Sequence, residues 1–309
     1  MAGQLVGKYV DLQINGYMGV DFNDTDVTVE GVCKAAASMR SDGVESALAT
    51  FITGPVDSMC HCIHIVRQAI ESDQRAGDVF KGMHIEGPFL SHKTGYVGAH
   101  PAKDVQPCDM RKLERLLEAG GKWVKYVTLA PEVDCDALMT RELASRKILV
   151  AAGHTDASLD ELNRCIENGL SLFTHIGNAC PMQVHRHDNI IQRALSMAQR
   201  LRFTFIADGW HLPDFFVENL MAIVPLDRLA VVSDAISAAG LGPGEYQLGP
   251  RLVKIGEDRC ARSPDGQHFV GAASKMIDAD RWLAENVVTS LETRQRLLYE
   301  NPKNWLLIG

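Results

Sequence analysis

The sequence has no run of about 18 uninterrupted apolar residues, so no transmembrane helix is expected. Its start, MAGQLVGKYVDLQ, lacks a charged segment followed by a long apolar core. No signal peptide is therefore expected, and the cytoplasm is the expected compartment. Positive charge is in deficit: 31 Lys and Arg stand against 39 Asp and Glu, a net charge of −8. That balance argues against a nucleic-acid or anionic-membrane partner, while leaving room for a local basic pocket. No GxGxxG follows any apolar run, which leaves an open doubly wound sheet as the weaker alternative for the fold. Low-complexity segments and internal repeats are also missing.

CxxC spacing is absent too, and the eight cysteines are scattered through 309 residues, as expected of reduced thiols rather than a disulfide framework. The one local concentration is CHCIHI at 60–65. It lies in a helical stretch, VDSMCHCIHIVRQAIES, where Cys60 and His64 share a face but Cys62 does not. A helix with buried thiols is the reading here, with a metal site as the alternative.

What is present is an ordinary globular composition, 46% hydrophobic and 23% charged, enough to build a large core. Short apolar runs alternate with amphipathic stretches. The runs KYVDLQIN, SALATFIT, GMHIE, VKYVTLAPE, KILVAAGH, LSLFTHI, FTFIAD and LAVVSDA read as strands. VEGVCKAAASMRSDG, MRKLERLLEAGG and LDELNRCIENG read as helices, two of them closing on a glycine where a C-cap is expected. Eight such β-α pairs are the number that closes a (β/α)8 TIM barrel, and 1–309 is expected to be a single barrel domain.

Polar residues recur where the chain leaves these strands: Gln13 and Asn15, Glu86, Glu132, His154, His175, Asp208 and His211, and Asp234. In a barrel these ends converge on one rim, where active sites are built. Glu86, at the end of GMHIE, is costly to bury unless a positive partner meets it. Glu86, His154 and His175 from three separate strands make a mixed oxygen and nitrogen set without thiolates. Such a set suits Zn²⁺ or another first-row divalent ion with a position open for water. Metal-assisted hydrolysis follows, with Asp234 as the natural general base. The alternative is that Glu86 pairs with an arginine or caps a loop. Asn178, His185, Arg186 and His187 cluster after His175, which suggests an anionic substrate; a solvated loop is the equal alternative.

Taken together, DLQINGYMGVDF, HIEGPFL, GAHP, LAPE, GHTDA, THIGNA, HR, IADGWHL and VSDAISAAGLGPGEYQLG resemble, in this order, the N-acetylglucosamine-6-phosphate deacetylases of the amidohydrolase superfamily. The resemblance runs from about residue 10 to 250 and less clearly to ENPKNWLLIG. It implies a metal-dependent TIM barrel in which water activated by one divalent ion per subunit, Zn²⁺ being expected, hydrolyses the acetamide of N-acetylglucosamine 6-phosphate. It implies Glu86, His154 and His175 as ligands, Asp234 as general base and acid, and His100 of GAHP as the group polarising the acyl oxygen. His211 would contact the sugar, and Asn178, the Ala179 amide and Arg186 the phosphate. A homodimer is implied as well, since that arginine serves the neighbouring subunit's site. Gln13 and Asn15 stand where many amidohydrolases carry a His-x-His pair, as in the one-metal branch. The small β-sandwich usual in the family, built from the two chain ends, is expected to be missing. Gly177, HRHDN and the loose HFVGAASKM segment depart from the family pattern and bear on substrate choice. Another N-acyl sugar or amide, or binding without turnover, are the alternative functions.

Overall fold

The computed structural model describes residues 4–248, 251–258, 260–262, 271–288 and 290–308. All eight expected strands are present: β1 (Tyr9–Ile14), β2 (Val44–Ile52), β3 (Phe80–Glu86), β4 (Val124–Leu129), β5 (Leu149–Ala152), β6 (Leu170–Phe173), β7 (Arg202–Ile206) and β8 (Leu229–Val232). They pair in sequence order, every pair parallel. Beyond β8 the chain returns to β1: Asp234 N donates to Gln13 O at 3.0 Å and Asn15 N to Ala235 O at 2.7 Å. The sheet is thus nearly closed into a (β/α)8 TIM barrel, and the open-sheet alternative falls away.

A helix follows each strand: α1 (Val29–Ser41), α2 (Val56–Ser72) with the short α3 (Gln74–Val79), α4 (Met110–Gly120), α5 (Leu138–Ser145), α6 (Leu159–Glu167), α7 (Ile190–Ser196), α8 (Asp214–Ile223) and α9 (Met276–Asn286). Local chemistry sets their bounds. Asp109 caps α4 by accepting from Arg111 N and Lys112 N, and Ser158 with Glu161 forms a capping box at the start of α6. Leu113, Leu116 and Leu117 of α4 lie on one buried face, each worth about 2 kcal/mol of apolar burial. In α2 Cys62 is buried and donates to Asp24 O, while His61 and His64 face solvent, so CHCIHI is a helix face and not a metal site.

Alternation along the strands divides the core. Met83 and Ile85 of β3 pack outward under the helices, whereas His84 and Glu86 point into the barrel. Val10, Leu12, Leu48, Tyr126, Leu172 and Ile206 fill the interior together with Trp305. Trp305 belongs to α11 (Asn301–Ile308), which follows α10 (Leu291–Gln295) and closes the barrel mouth where the strands begin. Asn301 fixes that helix by donating to Leu226 O at 2.7 Å and Leu229 O at 2.8 Å. Between β8 and α9 lies a three-stranded antiparallel sheet, β9 (Gly244–Leu248), β10 (Arg251–Ile255) and β11 (Ala261–Arg262), with its own small core of Ile236, Val253, Ile255 and Ala261. Among the described residues no helix is long and apolar enough to cross a membrane. His268, Phe269 and Val270 of HFVGAASKM, and Gly249 and Gly309 of the family-like strings, lie outside the described residues.

Candidate metal centre

Glu86 ends β3 and is 2% exposed. Three imidazoles surround its carboxylate: His175 Nε2 at 2.8 Å, His154 Nε2 at 3.3 Å and His100 Nε2 at 3.6 Å. Burial alone would raise the Glu86 pKa, but the facing imidazoles of His100, His154 and His175 outweigh this and hold it well below the ordinary range. The question the sequence raises about a buried carboxylate is answered by histidines, not by arginine. Ligand atoms of Glu86, His154 and His175 all lie within 4.8 Å of one another, an arrangement that can hold a metal ion.

The backbone aims these groups. His154 (φ 51°), His175 (φ 33°) and Asp234 (φ 49°) all adopt the left-handed region just past their strands, a conformation unfavourable for a side-chain-bearing residue. Their neighbours stabilise it. His154 Nδ1 lies 3.0 Å from Tyr96 O and 3.2 Å from Val97 O. Carbonyls only accept, so Nδ1 carries the proton and Nε2 keeps its lone pair for a metal. His100 shows the opposite tautomer: its Nδ1 accepts from Thr53 N at 3.2 Å, so Nε2 carries the hydrogen when the ring is neutral. Burial and the neighbouring His154 push the His100 pKa down to about 4, which keeps the ring neutral. A Cβ on Gly87 (φ 90°) would collide with Thr53 Oγ1, so glycine there preserves the His100 anchor.

Asp234 lies across the seam. Its Oδ1 accepts from Asn15 Nδ2 at 2.7 Å and Gln13 Nε2 at 3.1 Å, and Gln13 Nε2 also reaches Glu86 Oε1 at 3.0 Å. Burial and the Glu86 charge raise its pKa to about 6. The amide oxygens Gln13 Oε1 and Asn15 Oδ1 are buried without a partner among the described residues, as is His175 Nδ1. Each unpaired acceptor costs about 1–3 kcal/mol.

Other strand-end residues serve the site less directly. Glu132 does not join the triad; it accepts from Asp156 N at 2.8 Å and from Thr155 Oγ1, gripping the chain immediately after His154. Asp208 accepts from His211 Nδ1 at 2.7 Å and from the Trp210 and His211 amides; burial would raise its pKa, but the His211 bond outweighs this and lowers it. Asn178 turns back on His175, donating from N to His175 O at 3.0 Å. Ala179 (φ 51°) abuts the 95–100 loop beside His154. Arg186 is not brought to the triad: it stands exposed on the loop after Cys180, without a hydrogen bond or ion pair to any described residue. Neighbouring His185 uses Nδ1 to accept from Asp188 N at 2.9 Å, so its ring is engaged in bracing its own loop.

His84 is the residue that sequence reasoning passed over. Wholly buried below Glu86, it stacks on Tyr126 at 3.8 Å and bonds Thr128 Oγ1 through Nε2 at 2.7 Å. Burial pushes its pKa down to about 3, so it is a neutral floor for the site. The signal was the two-residue spacing in MHIE, which puts His84 and Glu86 on one side of the strand.

Comparison with known proteins gives this geometry a relative. No family model matches the chain. The N-acetylglucosamine-6-phosphate deacetylase of Bacillus subtilis (strain 168) is 30% identical over 283 residues, which cover 91% of this chain and 70% of that protein. The chain belongs to the N-acetylglucosamine-6-phosphate deacetylase family. The zebrafish (Danio rerio) member is 32% identical over 254 residues, and the match spans 62% of its length. Among solved structures, the Mycobacterium smegmatis deacetylase, determined as a mutant in complex with N-acetyl-D-glucosamine-6-phosphate, aligns with a TM-score of 0.87 and 26% identity, covering 97% of this chain and 77% of that one. The Thermotoga maritima deacetylase aligns at 0.84 and 27%, with 97% and 78% covered.

Proposed function

We propose that this chain hydrolyses the acetamide of N-acetylglucosamine 6-phosphate to glucosamine 6-phosphate and acetate. The observation that carries the reading is the buried triad Glu86, His154 and His175 with Asp234 beside it, both tied to Gln13. The donor chemistry fits a single divalent ion, of which Zn²⁺ is the proposed one: a carboxylate, an imidazole whose tautomer leaves Nε2 unprotonated, and a second imidazole whose Nε2 lies 2.8 Å from that carboxylate. Bound there, the ion would lower the pKa of a water molecule and polarise the acyl oxygen.

The chain's own groups supply the rest. Asp234, raised towards neutrality, takes the proton of the attacking water and returns it to the departing amine as the C–N bond breaks. His100, with its hydrogen on Nε2, donates to the acyl oxygen as negative charge develops there. His211, oriented by Asp208, contacts the sugar hydroxyls. Asn178 and the Ala179 amide meet the phosphate. In this proposal the exposed Arg186 completes the phosphate site of a second copy, in a homodimer.

Acetate release from N-acetylglucosamine 6-phosphate by Zn²⁺-loaded protein tests the reading, with unphosphorylated N-acetylglucosamine alongside. Turnover of the phosphorylated sugar only is expected. Silence on both, in protein shown to contain metal, overturns it.

A further inference from the structure

Gln13 and Asn15 lie two residues apart where β1 runs out, so their side chains leave on the same side of the chain. Both turn their amide nitrogens towards carboxylates. Asn15 Nδ2 meets Asp234 Oδ1 at 2.7 Å, and Gln13 Nε2 meets the same oxygen at 3.1 Å and Glu86 Oε1 at 3.0 Å. An ionised carboxylate only accepts, so the amide nitrogens must face it and the amide oxygens must turn away. Both of those oxygens are buried without a partner among the described residues. The site therefore leaves two acceptors unsatisfied in order to place two donors on one oxygen of Asp234.

The main chain of Asp234 is held as well. Its N–H donates to Gln13 O at 3.0 Å and its carbonyl accepts from Ala272 N at 3.1 Å, fixing a residue with φ of 49° from both sides. With backbone and Oδ1 both anchored, the carboxylate has one oxygen left. Oδ2 accepts no hydrogen bond from any described residue.

We propose that Gln13 and Asn15 are positioning residues: they pin Oδ1 of Asp234 and so assign Oδ2 as the oxygen that takes the proton from water and returns it to the leaving amine. This rests on the hydrolytic reading above. The two amides also divide the work. Asn15 touches only the base, whereas Gln13 joins the base to the ligand carboxylate of Glu86 and sets the spacing between them.

The test uses Asn15→Leu, which keeps the shape and removes the donor, with Asn15→Asp as a second variant should the first fail to fold. In Zn²⁺-loaded protein either is expected to lower kcat about 10- to 100-fold, with KM within about two-fold of wild type and metal content unchanged. Gln13→Leu is expected to lower kcat and also to weaken metal binding about ten-fold. In an Asp234→Asn background Asn15→Leu should cause no further loss, because its effect passes through the missing carboxylate. An unchanged kcat, an undiminished further loss without the Asp234 carboxylate, or loss of metal from the Asn15 variants overturns the proposal. Should wild-type protein hydrolyse no acetylated sugar phosphate, the substrate reading fails by itself. The present inference is then decided by a metal-loaded crystal structure of Asn15→Leu: a rotated Asp234 carboxylate supports it, and an unmoved one overturns it.

Discussion

His154 Nδ1 sits 3.0 Å from the carbonyl oxygen of Tyr96, 58 residues earlier in the chain, and this contact decides which nitrogen of His154 can bind a metal. The carbonyl belongs to the 91–101 loop, which also carries His100, so one loop orients a ligand and delivers a neighbour. Gly98 allows the approach: a Cβ there would lie 3.1 Å from His154 Cε1 at a backbone φ of 60°. Gly98→Ala is expected to weaken Zn²⁺ binding about ten-fold, measured by chelator competition. Wild-type affinity would show that the loop is not what orients the ring.

Glu132 grips Thr155 and Asp156, holding the turn in which His154 adopts its left-handed conformation. Glu132→Ala is expected to reduce metal affinity and turnover together by about 10- to 100-fold, with Glu132→Gln intermediate because it retains one acceptor. Elemental analysis after dialysis against a weak chelator distinguishes this from a loss of turnover with the metal retained.

Asp234→Asn is expected to keep one metal per subunit and lose about 10²- to 10⁴-fold in kcat, since only proton transfer is removed. His154→Ala should lose the metal itself. Turnover near wild type in the first, or full metal content in the second, contradicts the assigned roles.

Asp11 gives a pH signature of its own in the stability of the fold. It is buried, accepting from Gln13 N and Ser233 N at 3.2 Å, and burial pushes its pKa from 3.8 to about 7. The folded state therefore binds this proton more tightly than the unfolded state does. The contribution favours folding below pH 4 and is lost as the pH rises through about 7, by an amount on the order of a few kcal/mol. Asp11→Asn should remove that slope, so the melting-temperature difference, variant minus wild type, should grow between pH 4 and 7 and level off above. A constant difference would contradict the raised pKa.

Trp305, 3% exposed, plugs the barrel floor beneath Arg202, whose guanidinium lies 5.6 Å from the ring centroid. Trp305→Ala should cost about 3–5 kcal/mol in denaturant unfolding. A cost under 1 kcal/mol would mean the floor is held elsewhere.

Much of this was legible in the chain itself. Apolar runs about as long as a strand gave all eight strands, and the polar residue at the end of each gave Glu86, His154, His175 and Asp234, because a parallel barrel brings every strand end to one rim. Partnerships across the barrel were not legible. Nothing local in LAPE says that Glu132 holds the turn after His154, and nothing in DLQING says that Gln13 and Asn15 reach a residue more than 200 positions later. Thr53 is equally silent until the fold sets it against His100. Such pairings depend on register between distant strands, which periodicity does not encode.

The seam between the first and last strands has a consequence for biosynthesis. Asp234 leaves the ribosome 219 residues after Asn15, its partner across that seam. Until the eighth strand docks against the first, a growing chain can gather Glu86, His154 and His175, but Asp234 lacks the Asn15 and Gln13 contacts that hold it. On the proposed mechanism, a nascent chain that collected metal early would hold it without a positioned base, so the last barrel strand to be synthesised is the one that completes the site.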